Sequence, residues 1–203
     1  AVYDHTVVAN LGAPASFGSQ SLRISNAATS GCFGDQTFSK PLLNEAGETN
    51  AYVAAPLGVR QPRFIGEWDF IPTVTGSQPG LSVVISPDAG DGGRMSWVQM
   101  TDVNPLGLDV NFYEYKDNAP YGSNATPSDG IGVEDGVILT AAATGLDRTV
   151  PHRIKIVMDL LDGPRNDVVK LYVDGVLKVT GTSWEDYFRW NQGPGDAEQT
   201  APV

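Results

Sequence analysis

A single cysteine, Cys32, occurs in the 203 residues, so no intrachain disulfide can hold the fold and its stability must come from a packed core. The two histidines, His5 and His152, sit in strand-like surroundings with no zinc spacing and no Ser/His/Asp arrangement around them. Cationic side chains are also scarce, 13 Lys and Arg against 24 Asp and Glu, and the net charge is −11. Neutralising a phosphate backbone takes clustered Lys and Arg, so a nucleic-acid partner is excluded. No apolar run approaches the about 18 residues that cross a bilayer, and no charged-then-apolar segment opens the chain, so no membrane insertion is expected. Long helical patterns are missing too.

Turn formers are abundant. With 23 Gly, 14 Pro and 41% hydrophobic residues, the chain favours many short strands joined by tight turns, and its length suits one all-β domain. We place that domain at 1–192, followed by a tail or linker at 193–203. Residues 152–160 alternate Ile154, Ile156, Met158 and Leu160 with more polar neighbours, and Val169, Leu171 and Val173 repeat the pattern. That is the period-two signature of strands with one buried face. Asp174-Gly175 between 170–173 and 176–180 predicts a two-residue hairpin, because both turn positions need positive φ. A second reversal is expected at 162–164. Further strands are expected at 21–26, 50–55, 63–73, 81–86, 94–101, 107–115 and 137–142. In 63–73, Phe64, Trp68 and Phe70 are available for the core. Residues 183–190, SWEDYFRW, place Trp184, Tyr187 and Phe188 at helical spacing, as a cap packing its rings on the sheet edge.

Three antiparallel strands ending in LYVDG, within a run from SLRISN to SWEDYFRW, resemble the concanavalin A-like lectin/glucanase superfamily, laminin-G-like domains of the bacterial extracellular type. The resemblance implies an antiparallel β-sandwich of jelly-roll type in a secreted or cell-surface protein. It also implies a further strand after the late aromatic segment. Residues 2–9, a second copy, or residues beyond this chain would supply it, and an edge left open would invite self-association.

Three constellations could carry chemistry. The first is Glu67-Trp68-Asp69-Phe70-Ile71-Pro72, which resembles the E-x-D-x-x-E run of laminarinase and lichenase glycosidases. Retaining hydrolysis needs two carboxyl groups roughly 5 Å apart, and Pro72 stands where the third carboxylate should be. If the chain is an enzyme, Glu67 and Asp69 are its catalytic residues, with Glu114 or Glu134 as donors of the missing acid. The same letters also describe a plain strand with a wet face. The second is 107–115, GLDVNFYEY, where Leu108, Val110 and Phe112 point inward and Asp109, Asn111, Tyr113 and Tyr115 share the outer face. Trp97 and Gln99 extend this patch from the preceding strand. Flat rings beside amide groups suit a sugar, whose C–H face stacks while its hydroxyls pair. The third is oxygen ligands for calcium, Asp88 and Asp91 in one loop and Asp129 and Asp135 in another, an expectation raised by the resemblance. No cofactor is otherwise required. A formal glycosylation sequon lies at Asn124-Ala125-Thr126. The reading that results is a non-catalytic recognition or adhesion module for a glycan or an extracellular protein. Polysaccharide cleavage and assembly by strand exchange remain as competitors.

Overall fold

The computed structural model describes residues 5–10, 15–24, 62–87, 96–116, 136–161 and 165–184. These contain ten strands and one short 3-10 turn at Ala15–Phe17. β1 (His5–Ala9) and β2 (Gln20–Ile24) pair antiparallel with each other. His5–Ala9 thus pairs with the early strand in a two-stranded sheet of its own and adds no strand to the larger sheets, and Leu22 and Ile24 stay 51% and 46% exposed.

The other eight strands form two antiparallel sheets. One runs β10–β9–β8–β3, with β3 at Arg63–Phe70, β8 at His152–Asp159, β9 at Val168–Val173 and β10 at Val176–Gly181. Its counterpart runs β4–β5–β6–β7, with β4 at Ser82–Ile85, β5 at Trp97–Thr101, β6 at Leu108–Lys116 and β7 at Gly136–Leu146. Alternation decides which side of each sheet is dry. Val98, Met100, Val110 and Phe112 from one sheet join Ile154, Ile156, Met158, Val169, Leu171 and Val173 from the other in a single buried cluster. Phe64, Trp68 and Phe70 pack against that cluster. The described residues are thus nearly all β, with two sheets sharing one core in a sandwich-like arrangement. Each fully buried aliphatic or Phe side chain contributes about 1.5–3 kcal/mol, which is how a chain without disulfides stays folded.

The hairpin forms where the turn chemistry places it. Asp174 and Gly175 have φ of 52° and 78°, and Leu171 and Val173 on the arm before them are 0% and 1% exposed. The Asp174 carboxylate also reaches back to the start of β8, accepting the Arg153 N–H at 2.8 Å and lying 2.8 Å from His152 Nδ1. His152 is itself buried, and its Nε2 donates to the Asp147 carbonyl at 2.9 Å. It fastens the turn to the sheet.

In the other sheet, β6 and β7 meet through register shifts near Leu108, Val110 and Asn111. There Arg148 and the fully buried Asp102 hold three loops together. Beside them, Asp147 accepts from the backbone N–H of Thr149 at 2.8 Å and from its hydroxyl at 2.7 Å. These bonds, the backbone one foremost, hold the Asp147 carboxyl below the ordinary range. A depressed folded value gives stability that is complete above the unfolded value of about 3.9 and lost as pH falls through the folded one. Thr149→Val is expected to move the Asp147 titration, followed by side-chain NMR, part of the way back up, since the stronger backbone bond survives.

Candidate functional site

The outer face of the β4–β7 sheet brings most of the expected patch together. Register sets Trp97 opposite Tyr113, Gln99 opposite Asn111 and Thr101 opposite Asp109, all on the side away from the core. The Trp97 and Tyr113 rings lie 5.1 Å apart between centroids. Gln99 Oε1 accepts from the Tyr113 hydroxyl at 3.0 Å and from Asn111 Nδ2 at 3.4 Å, while Gln99 Nε2 donates to Ser82 Oγ at 3.0 Å. A chain of hydrogen bonds therefore crosses three strands beside the two rings. Trp97, Gln99, Asn111 and Tyr113 are each half-buried, so their packed edges are fixed and their outer edges meet solvent.

Two of the expected residues do not take part. Tyr115 is 4% exposed, not an open platform, because Trp184 packs over it at 5.7 Å and over Trp97 at 4.7 Å. Asp109 faces the correct side, but its Oδ1 accepts from Asn104 Nδ2 and from the Gly145 N–H, both at 3.0 Å. That oxygen of the carboxylate fixes the loops beside the patch. Conversely, Val84 and Leu139 flank the patch at 46% and 54% exposure. The sequence signal for both was the alternation within their strands, which reveals that a face exists but not which sheet it borders.

Trp184 is brought there by an abrupt crossing. Glu114 lies on the inner side of β6, 4% exposed, and its Oε2 accepts the Thr182 N–H at 2.8 Å. Ser96 Oγ donates to the Thr182 carbonyl at 2.7 Å, and Ser183 Oγ donates to the buried Asp167. Trp184 thus packs its ring on the sheet edge, as expected of the aromatic segment, yet Ser183 and Trp184 are not helical. The rest of 183–190 lies outside the described residues.

The carboxylates of the glycosidase-like run sit elsewhere, on the outer face of the other sheet. Asp69 opposes Arg153 and Glu67 opposes Lys155 across β3 and β8. Arg153 grips Asp69 through two bonds of 2.7 and 2.9 Å, and it approaches Glu67 at 3.5 Å. Lys155 Nζ lies 3.9 Å from the other Glu67 oxygen. The hydrogen bond and charge of Asp69 hold the Arg153 guanidinium even more firmly protonated than usual. Opposite charges paired across strands stabilise a sheet face, and this arrangement accounts for both carboxylates. Glu114 belongs to the inner side of the second sheet, so it cannot act across from Glu67. Glu134 lies outside the described residues.

The expected calcium ligands Asp88, Asp91, Asp129 and Asp135, together with Cys32, the sequon and the tail at 193–203, also fall outside the described residues. Among the described residues, no group of three or more His, Cys, Asp and Glu side chains is placed to hold a metal ion. No described helix is long and apolar enough to cross a membrane. No family model, no curated protein and no solved structure gives a significant match to the chain.

Proposed function

We propose that this chain is a non-catalytic recognition module of the concanavalin A/laminin-G-like jelly-roll type, secreted or displayed at a cell surface, that binds carbohydrate on the outer face of its β4–β7 sheet. The observation that carries the reading is the Trp97 and Tyr113 ring pair beside the Gln99–Asn111 amide network. Pyranose rings present apolar C–H faces and a rim of hydroxyls, so a ring platform edged by amides satisfies both. A glycan array, run with and without calcium, identifies the ligand. Tyr113→Ala is then expected to weaken binding by about 1–3 kcal/mol, from the lost ring contact and buried area. Unchanged titration calorimetry for that variant would rule this face out.

No hydrolysis is expected. An acid/base residue is worth roughly 10²–10⁴ in rate, Pro72 occupies its place, and Glu67 and Asp69 are committed to Arg153 and Lys155. Incubation with β-glucans, agars and carrageenans should release no reducing sugar. Release that vanishes in Glu67→Gln, with the fold intact, would move the protein into the enzyme class.

A further inference from the structure

The two outer faces differ sharply in charge. Around Glu67 and Asp69 the β10–β3 sheet carries Arg63, Arg153, Lys155 and Asp159 in cross-strand pairs. The β4–β7 face carries no Lys or Arg among the described outward positions of its strands, and the carboxylate there, Asp109, adds negative charge, with Oδ1 held by Asn104 and Gly145. Lys116 belongs to the inward-facing set and pairs with Glu114 at 3.0 Å, while Arg148 is committed to Asp102.

Resting on the glycan-binding reading above, we infer that this face selects uncharged glycans and rejects sulfated or uronic acid chains. Three features of the site lead to that class. Recognition of a carboxylate or sulfate is built from Arg or Lys, preferably in bidentate geometry, and the described outward positions of these strands offer neither. The chain's net charge of −11 opposes the approach of a polyanion. The hydrogen-bonding groups are also neutral and of both polarities, which suits sugar hydroxyls better than an anion. Gln99 Oε1 already accepts from the Tyr113 hydroxyl and from Asn111 Nδ2, which leaves Asn111 Oδ1 and the Tyr113 hydroxyl oxygen as acceptors beside the remaining amide hydrogens of Gln99 and Asn111. A sugar hydroxyl can both donate to those oxygens and accept from the amide hydrogens, whereas an anionic oxygen can only accept from the two amides and leaves the acceptors unused.

The test uses the full chain and glycan pairs that differ in charge: methyl-esterified against de-esterified polygalacturonate, and agarose against κ-carrageenan oligosaccharides. Binding of the neutral member at least tenfold tighter, lost in Tyr113→Ala and nearly independent of salt from about 50 to about 500 mM, supports the inference. In Gln99→Lys the preference is expected to shift towards the acidic member, because the substitution puts a cation among the acceptors. Equal or tighter binding of the acidic member, still lost in Tyr113→Ala, overturns the charge selectivity but leaves the face in place. Binding unaffected by both Tyr113→Ala and Asn111→Ala, or no binding to any glycan on the array, overturns the face itself.

Discussion

Asp102→Ala is expected to lower the unfolding free energy by about 3–5 kcal/mol, the cost of leaving a partner charge buried without its counter-ion. Asp102 is fully buried, and its Oδ1 lies 2.7 Å from Arg148 Nε and 2.6 Å from Nη2. Its Oδ2 accepts the Gln78 N–H at 2.8 Å. The guanidinium meanwhile donates to the carbonyls of Asn104, Pro105 and Gly107. One carboxylate and one guanidinium thus organise the loops before β4, before β6 and after β7. Removing the anion strands a cation with only 10% side-chain exposure among carbonyls that cannot neutralise it. Asp102→Asn keeps the acceptor for Gln78 and should lose less. The combination of Asp102→Asn with Arg148→Met should recover part of the loss, because the two single effects share one interaction. Chemical denaturation of the wild type, Asp102→Ala, Asp102→Asn, Arg148→Met and the double variant measures all of this, and additive losses would show that the pair does not act as a unit.

Gly107→Ala is the second large effect expected, a loss of about 3 kcal/mol, at the top of the overpacking range. A Cβ at this position would stand 2.3 Å from the Gly145 carbonyl carbon, 2.4 Å from the Leu146 oxygen and 2.6 Å from the Gly145 oxygen. All three are backbone atoms, so no side chain can swing away to make room. The loop would have to retreat from β7, and Arg148 would lose the Gly107 carbonyl, 3.1 Å away in the native chain. Gly80→Ala provides the control, because its added carbon meets nothing within 4 Å. A change within about 0.5 kcal/mol is expected there. Thermal melts of similar midpoint for the two variants would mean that the loop and β7 separate freely.

Local pattern carried the parts of this fold that are decided locally. Ile154, Ile156, Met158, Leu171 and Val173 alternate because each strand has one dry face, and Asp174-Gly175 marks its turn because few residues accept positive φ. Contacts between distant segments left no such trace. Arg148 and Asp102 are 46 positions apart and read as ordinary loop residues until the strands bring them together. Glu67 and Asp69 resembled two of the three carboxylates of a catalytic motif, yet both lie beside Arg153, which is 84 positions from Asp69. In the candidate face, Trp97, Gln99, Asn111 and Tyr113 were legible because one alternation rule places them all. Tyr115 obeys the same rule and is nevertheless covered, because the covering ring of Trp184 comes from the segment after β10, beyond anything periodicity along β6 can register.

The crossing at Thr182 and Ser183 has a mechanical consequence. An edge strand held only by its ladder can be unzipped one hydrogen bond at a time when its end is pulled. Here Glu114 and Ser96 from one sheet grip Thr182, and Asp167 next to β9 grips Ser183, immediately after β10 ends. Tension on the chain beyond Trp184 is therefore delivered to both sheets together, across their shared core, before it reaches the first rung of the β9–β10 ladder. For a module that holds a surface while being pulled, resistance would be set by shearing two layers at once, a collective event, and not by peeling a single strand.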